Sequence, residues 1–205
     1  QVDGIFCCCG GGGLVAGVAA YVKRARPDVK VYGVEAHDAA GMTASLNAGH
    51  RVKLDHVGLF ADGAAVRHIG EETFRLASKL VDGIVTVDNA QICAAIKASF
   101  QDTRCVLEPA GALAVAGVVK HVTALRNRGD DVSKLTLVAV ASGANMDFDR
   151  LRFVSERADT SEVRLSLRIP ERPGAFRQLY SKIHPCNVTE FSYRFHRPDQ
   201  PADII

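Results

Sequence analysis

The stretch Ile5-Phe6-Cys7-Cys8-Cys9-Gly10-Gly11-Gly12-Gly13-Leu14 decides the fold. Residues 4–9 are apolar on both faces, as in a short strand of a parallel sheet covered on both sides. Leu14 to about Arg26 reads as a helix that ends in Lys23, Arg24 and Arg26 with Pro27 beyond. Four glycines in a row are costly, because each loses more chain entropy on folding than another residue. Between a strand and a helix they let backbone N–H groups turn toward an anion with no Cβ in the way, where the helix dipole adds favourable potential. No Gly-Lys-Ser/Thr follows, so this is not the nucleotide P-loop. The three cysteines read as core packing. In a strand Cys7 and Cys9 face one side and Cys8 the other, and no basic neighbour lowers their pKa.

The strand Val31-Tyr32-Gly33-Val34-Glu35 completes a βαβ unit. Further on, Glu71–Leu80 reads as a helix, Gly83–Val87 as a strand and Ala90–Phe100 as a helix. A helix from Pro109 to His121 starts with proline in its favoured first position, and Leu135–Ala141 reads as another buried strand. Residues 36–70 are rich in glycine and alanine and stay unassigned. Strands alternating with helices predict an α/β fold with a largely parallel open sheet and helices on both faces.

The pattern changes after Ser161. Val163, Leu165, Leu167 and Ile169 alternate with Glu162, Arg164, Ser166 and Arg168, a strand with one wet face. A turn at 170–174, helical spacing of Phe176, Leu179, Tyr180 and Ile183, and alternation of Thr189, Phe191, Tyr193 and Phe195 follow. A domain boundary is therefore expected near residue 160, with one unit over 1–160 and a second, incomplete one over 161–205.

The chain has 205 residues, 47% of them hydrophobic and 23% charged, with a net charge of +2. That balance gives no reason to expect nucleic acid or an anionic membrane, and no apolar run reaches membrane-spanning length. The six cysteines, Cys7, Cys8, Cys9, Cys93, Cys105 and Cys186, show no zinc spacing and read as reduced thiols of an intracellular protein. Gln1 is followed by no charged n-region, so the opening does not read as a signal peptide. A strand begins at once, and the chain is expected to be a fragment of a longer protein.

Two readings of the glycines stay open on the residues alone. Gly11-x-Gly13-x-x-Ala16 fits the dinucleotide fingerprint, with Glu35 at the end of the next strand where a ribose-binding acid belongs. A phosphorylated cofactor fits equally. Ser142-Gly143-Ala144-Asn145, after the strand Leu135–Ala141, is a candidate second wall of the same pocket, since ligands in open α/β sheets sit beyond the carboxyl ends of the strands. Asn145 alone could cap a helix. Glu108 could face the pocket near Ser142 or cap the Pro109 helix. Asp62 and Glu71 read as loop and helix-start charges. The histidines His37, His50, His56, His68, His121, His184 and His196 show no metal spacing and read as surface residues, and the Arg164/Arg168 stripe reads as a solvated strand face.

GGGGLVAGVAAYVK (10–23), VEAHDAAGM (34–42), VGLFADGAAVRHIGEETFRL (57–76), LEPAGALAVAG (107–117) and SGANMDFDRLRFVSERAD (142–159) together resemble the biosynthetic threonine dehydratases, or threonine ammonia-lyases. IPERPGAF (169–176) and NVTEFSYRF (187–195) are similar to the start of that family's ACT-like regulatory region. Val57-Gly58-Leu59-Phe60 and Ser142–Met146 lean toward its plant-like members. The resemblance implies a pyridoxal-phosphate enzyme of the tryptophan-synthase-β-like fold (fold type II), followed by the start of a ferredoxin-like, α+β ACT domain. It implies that Gly10, Gly11, Gly12, Gly13 and Leu14 bind the cofactor phosphate and that Ser142 hydrogen-bonds the pyridine nitrogen. The implied reaction turns L-threonine into 2-oxobutanoate and ammonia, the first step of isoleucine synthesis. Isoleucine inhibition, a homotetramer, and a chloroplast or cytoplasmic location are implied as well.

Three departures qualify the likeness. Cys7-Cys8-Cys9 replaces Val-Pro-Val, a volume-compatible change. The Schiff-base lysine lies in an upstream Ser-Phe-Lys-x-Arg-Gly-Ala motif, and none of Lys23, Lys30, Lys53, Lys79, Lys97, Lys120, Lys134 or Lys182 has that context, so no catalytic residue is assigned here and the chain alone is expected to be inactive. Gly41 stands where metal-binding relatives carry an acid, so no metal is expected. The alternatives are a catabolic serine/threonine dehydratase or serine racemase, a non-catalytic ligand-binding or regulatory module, and an NAD-binding Rossmann-like domain.

Overall fold

The computed structural model describes residues 2–157, 165–170, 172–186, 188, 191–194 and 202–204. The chain divides into two compact units, Gln1–Asp159 and Thr160–Ile205.

The first unit opens with β1 (Gly4–Cys8) and α1 (Gly13–Ala25). β2 (Lys30–Ala36) and α2 (Gly41–Ala48) follow, then a 3-10 turn at Asp62–Ala64. Next come α3 (Glu71–Leu80), β3 (Gly83–Val87), α4 (Asn89–Thr103) and α5 (Pro109–Asn127). β4 (Leu137–Ala139) and α6 (Phe148–Arg157) complete it. The strands form one sheet in the order β3-β2-β1-β4, every neighbouring pair parallel. All four carboxyl ends therefore lie on one edge, and the loops that leave them are neighbours.

Strand alternation sorts the core into two layers. Phe6 of β1, Val34 of β2 and Val87 of β3 pack against Ile92, Ile96 and Leu113 of α4 and α5. On the opposite face Cys7, Cys9 and Val31 pack against Val15, Ala19, Met42 and Ala77 of α1, α2 and α3. This is the expected parallel sheet with helices on both faces. Each fully buried Ile, Leu or Phe in these layers contributes roughly 1.5–3 kcal/mol by leaving water. α4 starts on a capping box: Asp88 Oδ1 accepts from the Gln91 amide at 2.8 Å and Gln91 Oε1 accepts from the Asp88 amide at 3.0 Å.

Several boundaries differ from the sequence reading. β4 pairs only over Leu137–Ala139, although the Val140 amide still reaches the Phe6 carbonyl at 2.9 Å. α5 runs past His121 to Asn127, because a polar last turn is a good helix former once the apolar turns before it are docked. α2 lies inside the unassigned segment 36–70, and α6 follows the Ser142 turn without an apolar stripe long enough to announce it. His121 is not a plain surface residue: its ring lies 5.3 Å from that of Phe6 and 4.9 Å from that of Tyr32, and burial pushes its pKa down.

In the second unit β5 (Leu167–Ile169), α7 (Ala175–Ile183), β6 (Tyr193–Arg194) and β7 (Ala202–Ile204) are described. They form an antiparallel sheet in the order β5-β7-β6. Phe176 of α7 meets Phe191 edge to face at 5.0 Å. The strand anticipated from Val163 is described only from Leu165, and it pairs from Leu167. Glu162, Val163, Arg164, Thr189, Phe195 and His196 lie outside the described residues.

Candidate functional site

The glycine loop leaves β1 at the carboxyl edge of the sheet and turns directly into α1. Cys9 donates its amide to the Val34 carbonyl at 2.8 Å, and Ala16 donates to Gly12 at 3.0 Å. Among the described residues, no backbone carbonyl accepts from the amides of Gly10, Gly11, Gly12, Gly13 or Leu14, which lie between them. The first amides of any helix lack an intrahelical partner, and here the loop adds its own. Gly12 caps α1 with φ +87°, a left-handed conformation that L side chains rarely adopt. Around the positions that Cβ atoms of Gly11 and Gly13 would occupy there is open space within 4 Å. A cluster of unpartnered amides with an open side, at a helix N-terminus, is a cradle for an anionic group.

The loop is held from outside. Thr73 of α3 donates its hydroxyl to the Gly11 carbonyl at 2.6 Å and to the Gly70 carbonyl at 3.1 Å. The sequence reading missed Thr73, because 62 residues separate it from its partner and a single threonine in a helix carries no signal.

Ser142 lies beside this loop. Its exposed hydroxyl is 3.3 Å from Cys8 Sγ, so a side-chain bond joins the ends of β1 and β4. The adjoining turn rests on Glu108. The Glu108 amide donates to the Gly143 carbonyl at 3.1 Å, and Glu108 Oε2 accepts from the Asn145 amide at 3.2 Å. A side chain at Gly143 would meet the Glu108 carboxylate and force it to move away from the turn it supports. Glu108 stands at the N-cap position of α5 but makes no side-chain cap bond there; its carboxylate instead supports the turn after Ser142. Asn145 is not the cap of α6; Asp147 is, accepting from the Arg150 amide at 2.7 Å.

Glu35 is buried and faces α2 rather than the loop mouth. Its carboxylate accepts from the amides of Met42 at 2.7 Å and Thr43 at 2.9 Å and from the Thr43 hydroxyl at 2.7 Å. Burial raises its pKa, and the three hydrogen bonds oppose that rise. A carboxylate committed to a helix N-terminus cannot also hold a ribose, which removes the feature that favoured a dinucleotide. Burial likewise pushes the Cys7 thiol up to about 11 and Cys9 higher still, so both are inert core residues. Asp62 is more than a loop charge: Arg150 of α6 grips it with two hydrogen bonds of 3.0 and 2.7 Å, holding its pKa down. Glu71 does sit in the first turn of α3, 3.4 Å from Arg51. Among the lysines, Lys23 and Lys30 are paired with Asp82, and Lys120 donates to the Thr86 carbonyl.

Residues 1–143 match the family described as pyridoxal-phosphate dependent enzyme. Over 202 residues the chain is 54% identical to the mitochondrial threonine dehydratase of Schizosaccharomyces pombe, covering 97% of this chain and 33% of that protein. It is 56% identical over 196 residues to the biosynthetic L-threonine dehydratase of Burkholderia multivorans, covering 94% of this chain and 38% of that one. In three dimensions it superimposes on the processed form of threonine deaminase isoform 2 from Solanum lycopersicum with a TM-score of 0.73 at 46% identity, covering 77% of this chain and 44% of that chain. The chain thus spans between a third and a half of the length of these proteins. The open loop amides, the hydroxyl on the neighbouring strand end and the two-layered parallel sheet are compatible with such a cofactor, and the chain belongs to the pyridoxal-phosphate dependent enzyme family.

Proposed function

We propose that this chain is the part of a threonine dehydratase that grips the cofactor, and that the longer protein deaminates L-threonine to 2-oxobutanoate and ammonia. The observation that carries this reading is the unpartnered amide run of Gly10–Leu14 beside Ser142, within a stretch about half identical to threonine dehydratases throughout. In the proposal the amides of Gly10, Gly11, Gly12, Gly13 and Leu14 bind the phosphate, and the Ser142 hydroxyl donates to the ring nitrogen.

Bound pyridoxal phosphate supplies an electron sink that stabilises negative charge at the substrate Cα. The protein tunes that sink through Ser142. A hydroxyl can donate to an unprotonated nitrogen, whereas a carboxylate would hold the nitrogen protonated. The milder sink suits loss of the β-hydroxyl over competing transfer reactions. Glu108 stiffens the Ser142 turn through the Asn145 amide. The covalent lysine is proposed to lie in a part of the protein outside this chain.

The second unit is proposed to begin an ACT-like regulatory domain, with the division near residue 160, isoleucine as inhibitor and a homotetramer as the assembly. No helix among the described residues is long and apolar enough to cross a membrane. An intracellular site is proposed, an organelle in a eukaryote, as with relatives named mitochondrial and chloroplastic. The test is direct. The longer protein, loaded with pyridoxal phosphate, should form 2-oxobutanoate from L-threonine and lose that activity when the upstream lysine is replaced by alanine. Product formation from L-serine alone, or none from either amino acid, refutes the substrate assignment.

A further inference from the structure

Cys8 is the one cysteine of the triplet that is only partly buried, packed at the margin of the layer that Phe6 shares with α4 and α5. Cys7 and Cys9 are 0% and 1% exposed, whereas Cys8 is half-buried and turns to the opposite face. Two residues before the glycine loop, its Sγ reaches Ser142 Oγ at 3.3 Å. A serine hydroxyl has one hydrogen to give and can accept two, and a thiol is a weak donor and a weak acceptor. With nothing else to bind, either atom can be the donor. Once the serine hydrogen is committed to a ligand nitrogen, only the thiol hydrogen can serve this contact.

We propose that Cys8 is a positioning residue for Ser142: its thiol donates to Oγ, fixes the hydroxyl rotor and aims the serine hydrogen at the ring nitrogen of the cofactor. The inference rests on the assignment of Ser142 as the ring contact. It gives the triplet a division of labour, with two cysteines filling the core behind the glycine loop and one facing the ligand. Neighbouring groups leave the role to the thiol. Glu108 touches the turn through Gly143 and Asn145, not through the Ser142 hydroxyl.

The experiment uses the longer protein loaded with pyridoxal phosphate and reads the visible absorbance and fluorescence of the bound cofactor, not turnover. Cys8→Val should shift both spectra and weaken cofactor binding about fivefold, the scale of one modest hydrogen bond. Cys8→Ser should restore the parent spectrum, because a hydroxyl can replace the thiol as donor. In a Ser142→Ala background Cys8→Val should change nothing further, the signature of two groups acting as a unit. Separately, saturating cofactor should slow N-ethylmaleimide labelling of Cys8 at least tenfold. Cys105 and Cys186, both exposed, should label at unchanged rates when mapped by tandem mass spectrometry. A cofactor-loaded Cys8→Val protein with the parent spectrum, or unprotected Cys8, overturns the inference and leaves the site assignment standing. A parent protein that binds no cofactor, or whose spectrum ignores Ser142→Ala, overturns the site assignment and this inference with it. An unprotected Cys8 overturns the inference even if Cys8→Val fails to fold.

Discussion

At the scale of single residues, the candidate site separates grip from electronics. In the proposed roles the loop amides carry the charge of a phosphate and Ser142 meets the ring, so the two functions can be broken one at a time. Ser142→Ala in the longer protein is expected to lower turnover roughly tenfold or more, the cost of one hydrogen bond used in the reaction, while cofactor stays bound through the loop. Turnover with a cofactor titration on the same sample checks both halves, and unchanged turnover removes the ring role. Gly12→Ala should act in the opposite way. Its φ of +87° and the closeness of Met42 and Thr73 leave no comfortable place for a methyl group. Backbone strain of about 1–2 kcal/mol, read as a lower denaturation midpoint, should accompany a weaker affinity for pyridoxal phosphate.

Elements are tied to the site by polar anchors rather than by their own propensity. α2 has no side-chain cap of its own, and Glu35 on the neighbouring strand takes its first amides instead. Glu35→Ala should therefore cost roughly 2–4 kcal/mol, because buried donors lose their acceptor. Its pH dependence has a definite sign. The folded pKa lies above the ordinary carboxylate value, chiefly through burial. The stability it contributes is present below that ordinary value and is lost as pH rises through the raised one. As pH rises above the ordinary carboxylate value, urea midpoints should fall less steeply in Glu35→Gln than in the parent. An identical slope would show that Glu35 contributes nothing to the pH dependence of stability. α4 offers a simpler case: Asp88→Ala removes the capping box and should lower stability by about 1 kcal/mol without touching cofactor binding.

For the whole molecule, the coverage of about a third of the S. pombe enzyme sets the expectation. If the covalent lysine lies outside this chain, as proposed, the isolated 205-residue chain should form no 2-oxobutanoate from L-threonine even with pyridoxal phosphate present; measurable product would refute that. If the second unit is the proposed regulatory domain, removal of everything from residue 160 onward in the longer protein should leave turnover intact and abolish inhibition by isoleucine. Retained inhibition would place the effector site elsewhere.

The sequence by itself determined the two-layered parallel sheet and the glycine loop that joins its first strand to α1. Both rest on short-range signals: a doubly apolar strand, four glycines, a helix stop at Lys23-Arg24, a proline at the start of α5. The alternation of Phe6 and Cys8 against Cys7 and Cys9 follows from the two-residue period of any strand. Tertiary structure alone decided which distant groups meet. Thr73 on the Gly11 carbonyl, Glu108 under the Asn145 turn, Arg150 on Asp62 and Cys8 against Ser142 span 62, 37, 88 and 134 residues. It also settled Glu35, which both the dinucleotide pattern and the strand-end position made a ligand candidate, as the anchor of a helix hidden in an unassigned segment. A polar side chain read in isolation shows what it can bind; its partner is chosen by the packing of elements that no local pattern encodes.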